Sequence, residues 1–291
     1  MHIDQDHWFT EPCEEGGSAF SLRLGPGRKL HEEQTPYQRI AIYDTGYYGN
    51  LMVIDGFIML SARDNFLYHE MMAHPALFTH AAPRRVLIIG GGDCGTLREV
   101  LKHPDVELAE QVEIDERVTR LAEQYFPELC TANDDPRARF HFTDGIRWVQ
   151  EAAAGSYDVI IVDSTDPIGP AEGLFQEPFY RDCLRALGPG GIIVQQSESP
   201  LYHQDIIQGM HRAMAGAGFD TVHTLYFPQP VYPSGWWSAT LAGKGVDLCS
   251  FRREDAAARP FETFYYNEDV HAGALATPPF MARLLSSQAG G

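Results

Sequence analysis

The run Val86-Leu87-Ile88-Ile89 leads straight into Gly90-Gly91-Gly92-Asp93-Cys94-Gly95. Unbroken branched apolar residues read as a strand buried on both faces, and glycines directly after it read as a tight turn into a helix. The pattern that follows keeps the same alternation. Strand runs at Val106 to Ile114, Arg139 to Phe142, Tyr157 to Val162 and Ile192 to Gln195 are separated by helical stretches. Such βαβα order predicts a parallel, doubly wound α/β sheet. Phe219 to Phe227 and Gly235 to Leu241 read as closing strands, for which antiparallel pairing is open. Ahead of this region, Arg39 to Tyr43 and Leu51 to Ile54 are strand-like and flanked by the turn signals Asp44-Thr45-Gly46 and Asp55-Gly56. They predict a small antiparallel β domain over residues 1–62, with a catalytic domain over 63–291 that opens on a helix from Asp64 to about His80. The Ala/Gly-rich tail past Leu285 is expected to fray.

Acidic residues stand where such a sheet binds ligands, on the loops that leave the carboxyl ends of its strands. The glycine loop parses as G-x-G-x-x-G, a weak match alone, since a tight turn would look the same. Glu113 ends the second strand about twenty residues on, where an acid takes ribose hydroxyls, and Asp144-Gly145 follow the third. Asp93 inside the loop would repel a pyrophosphate. A nucleoside without phosphates and with a cationic portion fits better, S-adenosylmethionine or a relative. Asp163-Ser164-Thr165-Asp166-Pro167 then leaves the fourth strand with two carboxylates three residues apart. One could bind a cation and the other take a proton, as a reaction on a polyamine requires. A helix cap at Asp163 and a plain turn at Asp166 stay open on these five residues alone.

Charge points the same way. Lys and Arg total 22 against 40 Asp and Glu, a formal charge of −18. Such a surface disfavours nucleic acid and anionic membranes and favours a cationic small molecule by long-range steering. On charge alone, acidity that only aids solubility is the simpler reading. The five cysteines (Cys13, Cys94, Cys130, Cys183, Cys249) lack any C-x-x-C pair, so a reducing cytoplasm is expected and a structural metal site is not. The acidic start lacks the apolar core of a signal peptide, and no apolar run approaches a membrane span.

Taken in order, these motifs resemble spermidine synthase, a polyamine aminopropyltransferase. The resemblance is carried by Val86 to Val100 (VLIIGGGDCGTLREV), Val112-Glu113-Ile114-Asp115, Thr143-Asp144-Gly145, Asp163 to Pro170 and Tyr232-Pro233-Ser234-Gly235. Tyr68-His69-Glu70-Met71 and Tyr265-Tyr266-Asn267 add to it. It extends from Trp8-Phe9-Thr10-Glu11 to about Leu285, with the aminopropyltransferase region at about 8–243.

The resemblance implies a Rossmann-like sheet of the methyltransferase type. It implies transfer of an aminopropyl group from decarboxylated S-adenosylmethionine, a co-substrate, to putrescine, with no cofactor or metal. It also implies a cytoplasmic homodimer or homotetramer. By resemblance Asp163 is the proton acceptor, Glu113 holds the ribose, and Asp144, Gly145 and Pro170 meet the adenine. Gln38 lies near the sulfonium, and Asp93 binds the amine of the aminopropyl group. His69 and Asp166 line the polyamine channel, Tyr68, Tyr232 and Trp8 wall it, and Gln196 contacts the acceptor amine.

Two departures stand out. Cys94 replaces a family glycine, which strains the loop if that position needs positive φ. The usual Thr-Glu-Arg-Asp-Glu-Phe run reads Ser61-Ala62-Arg63-Asp64-Asn65-Phe66, a loss of two acids expected near the acceptor entrance. That bears on the acceptor, with cadaverine and spermidine as alternatives to putrescine. A methyltransferase using S-adenosylmethionine is the rival chemistry, an NAD-dependent dehydrogenase a weaker one, and a non-catalytic polyamine-binding protein the rival of another class.

Overall fold

The computed structural model describes residues 6–13, 16–167 and 169–286. The expected fraying past Leu285 falls, from residue 287 on, outside them.

Two antiparallel sheets form the N-terminal part. β1 (Trp8–Cys13) and β2 (Ser18–Arg23) make a ribbon, and β3 (Lys29–Gln34), β4 (Arg39–Asp44), β5 (Asn50–Ile54) and β6 (Phe57–Ser61) make a four-stranded sheet in chain order. That sheet is buried on both faces. Ile40, Ile42, Met52 and Ile54 pack against Val118, Leu121 and Phe126, while Ala41, Leu51 and Val53 turn into the main core. β3 escaped the sequence reading because it is a charged edge strand with no fully buried side chain.

α1 (Asn65–Thr79) then leads into the alternating region. It comprises β7 (Arg85–Gly90), α2 (Gly95–Leu101), β8 (Leu108–Glu113), α3 (Glu116–Tyr125), β9 (Ala138–Phe142), α4 (Gly145–Glu151) and β10 (Tyr157–Asp163). A 3-10 turn (Gly169–Phe175), α5 (Glu177–Ala186), β11 (Leu187–Gln196), α6 (Gln204–Ala217), β12 (Thr221–Pro228) and β13 (Trp236–Gly243) complete it. The seven strands lie in the order β12-β13-β11-β10-β7-β8-β9. Pairings from β11 to β9 are parallel, whereas β13 runs antiparallel to both β11 and β12. β11 begins five residues before the Ile192 expected from the sequence, because its first half is the glycine-rich Leu187-Gly188-Pro189-Gly190-Gly191.

Period-two alternation explains why the central strands β7 and β10 carry unbroken apolar runs. Val86 and Ile88 face a core with Met71, Leu97, Val159 and Ile161. Leu87 and Ile89 face the opposite core with Ile160, Val162, Phe179 and Met210. The chain leaves β7 toward β8 and β9 on one side, then returns to β10 and β11 on the other. The carboxyl ends of β7 and β10 therefore flank the reversal point, where an open α/β sheet forms its ligand crevice.

After β13 the chain continues through α7 (Arg253–Ala257), α8 (Glu268–Ala274) and α9 (Pro279–Ser286). Its anchor is Glu70 of α1, a fully buried carboxylate that accepts the backbone N–H groups of Phe264, Tyr265 and Tyr266 at 2.8, 2.9 and 2.7 Å. Among the described residues no helix is long and apolar enough to cross a membrane.

Candidate active site

An open cleft of about 1370 Å³ lies over the reversal point. Its floor is the end of β7 and the glycine loop, and its walls come from the ends of β8 and β10, from α4, and from the Tyr37-Gln38 turn of the N-terminal part. A smaller cavity, open to solvent, adjoins it and shares Phe57, Met59, Tyr68, Asp166 and Tyr232 with it.

Close backbone packing builds the floor. The Gly91 N–H donates to the Asp163 carbonyl at 2.7 Å, and a Cβ on Gly90 (φ +80°) would lie 2.2 Å from that same oxygen. Cys94 adopts φ +69° and is fully buried, with its Sγ 3.6 Å from the Gly92 carbonyl oxygen. The left-handed backbone anticipated at that position is present, and a non-glycine residue there carries strain of about 1–2 kcal/mol.

Asp93 and Asp163 face each other's field in unlike surroundings. Asp93 accepts the Gly95 N–H at 2.7 Å and sits 3.1 Å from His69 Nε2. Burial pushes its carboxyl up, but His69 and the Gly95 N–H outweigh burial and hold it below the usual range. His69 moves the complementary way: burial disfavours its imidazolium, yet Asp93 raises its pKa overall. Asp163 accepts the Tyr68 hydroxyl at 2.7 Å and the Thr96 hydroxyl at 2.6 Å. Burial first, then the charge of Asp93, pushes its carboxyl up. The Tyr68 phenol, buried beside Asp163, is held well above its ordinary pKa and stays a donor. One acid is thus kept charged while its neighbour is made more basic, the division acid–base chemistry requires.

On one side of this pair, Glu113 closes β8, nearly buried, and accepts the Asp115 N–H at 2.8 Å. Burial pushes its carboxyl up to about 7. Asp144 caps α4, accepting the Ile146 N–H at 2.8 Å, and it and Gly145 line the cleft. Gln38 also lines it, its amide donating to Asp115 Oδ2 at 3.1 Å. Pro170 lies in the 3-10 turn, and its side chain is outside what the structure describes.

On the other side, Asp166, Gln196 and Tyr232 line the smaller cavity with Tyr68. The Tyr232 hydroxyl donates to the Met59 carbonyl at 2.5 Å, and its ring meets Trp237 edge-on at 4.5 Å. Gln196 donates to Glu198 Oε1 at 3.1 Å.

Residues of three of the expectations lie off both cavities. Trp8 lines neither cavity; strand alternation puts it on the opposite face of β1 from Glu11, and Trp237 joins Tyr68 and Tyr232 in lining the smaller one. His69 is not a lining residue either, but packs behind Asp93, so close that a Cβ on Gly95 would lie 2.2 Å from its ring. Ala62 and Asn65 line neither cavity: Asn65 is buried in the first turn of α1, donating to the Ser61 and Ala62 carbonyls at 3.2 and 2.9 Å.

The structure adds Thr96, Trp237 and Glu11. Glu11 lines the smaller cavity and accepts the Ile58 N–H at 2.6 Å. Its carboxyl is pushed up to about 7 by burial and by Asp166, against the effect of the Ile58 N–H. An acid in phase with the buried Cys13 of the same strand was the available signal.

Comparison with known proteins bears on the whole chain. Residues 65–252 match the spermine/spermidine synthase domain, and residues 7–62 match the spermidine synthase tetramerisation domain. A polyamine aminopropyltransferase of Nitrosococcus oceani is 66% identical over 281 residues, covering 97% of this chain and 98% of its own. One from Methylococcus capsulatus is 64% identical over 282 residues, covering 97% and 98%. Among solved structures, spermidine synthase in complex with the transition state analogue AdoDATO superposes with a TM-score of 0.93 at 36% identity, covering 99% of this chain and 97% of the other. Spermidine synthase from Thermotoga maritima superposes with a TM-score of 0.91 at the same identity and coverage.

Proposed function

The chain belongs to the spermine/spermidine synthase family, and from that membership we propose that it moves the aminopropyl group of decarboxylated S-adenosylmethionine to putrescine, giving spermidine and methylthioadenosine. The observation that carries this reading is the pair Asp93 and Asp163 at the reversal point, one held charged and the other made basic.

A primary amine with a pKa of about 10 arrives protonated and cannot attack carbon in that state. Asp163 receives the ammonium and takes its proton: an N–H bond breaks, an O–H bond forms on the carboxylate, and a lone pair is freed. That lone pair attacks the methylene next to the sulfonium. A C–N bond forms as the C–S bond breaks, and the sulfur leaves as a neutral thioether. Asp93 holds the amine of the group being transferred, and Glu113, with the Asp144-Gly145 turn and Pro170, holds the nucleoside. Gln38 stands near the sulfonium. Asp166 takes the far ammonium of the acceptor, Gln196 its polar neighbourhood, and Tyr68, Tyr232 and Trp237 cover the methylenes. His69 keeps Asp93 ionised. Orientation and exclusion of water carry most of the rate.

The tetramerisation match over residues 7–62 supports a homo-oligomer, a tetramer or a dimer. Five free cysteines agree with work in the reducing cytoplasm. Incubation with decarboxylated S-adenosylmethionine and a panel of diamines and spermidine, read by mass spectrometry, tests the reaction and its acceptor together. Methylthioadenosine should appear in step with spermidine when putrescine is present. A methylated product formed from ordinary S-adenosylmethionine, with no methylthioadenosine from any amine, would overturn the reading.

A further inference from the structure

We propose that Thr96 is a positioning residue for the proton transfer: its hydroxyl holds one oxygen of Asp163 while Tyr68 holds the other, fixing which lone pairs of the carboxylate meet the acceptor nitrogen. This rests on the reading of Asp163 as proton acceptor and adds a residue that reading does not require.

Thr96 is fully buried in the first turn of α2, and its hydroxyl reaches the end of β10 to donate to Asp163 Oδ2 at 2.6 Å. Tyr68, on α1, donates to Oδ1 at 2.7 Å. Each carboxylate oxygen thus has its own donor, and the donors come from different helices. A carboxylate gripped at both oxygens cannot rotate about its last bond, so its remaining lone pairs have fixed directions. Both donors also favour the ionised carboxylate, against burial and the charge of Asp93.

A hydroxyl suits the task in a second way, because it can accept as well as donate. Once Asp163 has taken the proton, Thr96 can rotate to accept from the new carboxylic O–H. Its own O–H bond stays intact, and no proton leaves the pair. Valine matches threonine in shape but can do neither. The groups facing Asp163 are Asp93 on the glycine loop, His69 and Tyr68 on α1, Glu113 on β8 and Tyr232 before β13. Replacing Thr96 alters the charge of none of them.

The test compares Thr96→Val and Thr96→Ser in the full chain, following methylthioadenosine release against pH together with the acceptor KM, the donor Kd and thermal unfolding. Thr96→Val should lower kcat about tenfold, as befits one lost hydrogen bond to an ionised group, with KM and Kd changed less than about twofold. Its kcat should also lose the acid limb at higher pH than wild type, because a donor that favoured the ionised form is gone. Thr96→Ser should restore both. An unchanged kcat in Thr96→Val, a fall in kcat with an unmoved acid limb, or no rescue by serine would each overturn the proposal. Should valine fail to fold, Thr96→Ala carries the same expectations. Failure of the wild type to release methylthioadenosine with any amine would instead defeat the functional reading itself.

Discussion

At Glu113 burial moves the carboxyl from 4.5 up to about 7, and the consequence has a definite sign. A group whose folded pKa is raised adds stability that is complete below its unfolded value and fades as pH rises through the folded one. The ligand-free protein therefore loses Glu113's contribution between pH 4.5 and about 7. In the role proposed for Glu113, ribose hydroxyls need the ionised form as acceptor, so donor binding should expel a proton below about pH 7, and affinity should improve from about pH 6 to about pH 8. Titration calorimetry in buffers of different ionisation enthalpy measures this, and Glu113→Gln should flatten the profile. A wild-type affinity independent of pH would contradict the assignment. Glu113 and Asp163 were legible as acids at strand ends, and Asp93 as an acid in the glycine loop, because the fold places ligands there. Thr96, Trp237 and Glu11 were not, since local sequence does not say that α2, β13 and β1 converge on the end of β10. Trp8 lies off both cavities, because a one-residue change of phase on β1 decides which side chain faces them.

Among the elements, α1 links the site to the C-terminal segment. Its Tyr68 holds Asp163, His69 holds Asp93, and the next residue, Glu70, gathers three backbone N–H groups of residues 264–266. Glu70→Ala leaves three amides without their acceptor and should destabilise the fold by about 3 kcal/mol or more. Denaturant unfolding should show the loss, and limited proteolysis should cut first after residue 253. Glu70→Gln, which keeps one acceptor oxygen, should fall between. Wild-type stability in Glu70→Ala would show the clasp to be incidental. The sequence displayed both partners as separate motifs, Tyr68 to Met71 and Tyr265 to Asn267, but their contact spans nearly two hundred residues and no local periodicity reports it. The strand–helix alternation was readable for the opposite reason, since buried parallel strands are apolar on both faces and announce themselves.

For the molecule as a whole, the −18 formal charge and the acids gathered at one sheet edge should draw a dicationic acceptor inward. Raising ionic strength to about 0.5 M should lower kcat/KM for the diamine about threefold or more while leaving kcat nearly constant. Equal values at low and high salt would remove steering from the account. The doubly wound plan was legible from the sequence because each strand–helix unit is local. The division of the N-terminal part into a ribbon and a four-stranded sheet was not, because it depends on edge strands that carry little apolar signal. The central claim joins all three scales: the sheet brings Asp163 to the cleft, α1 and α2 hold it, and it takes the acceptor's proton. The most direct measurement is single-turnover release of methylthioadenosine by Asp163→Asn, with donor affinity measured on the same sample. Release slowed by about a thousandfold or more with donor binding intact is the predicted result. Release at the wild-type rate would contradict it.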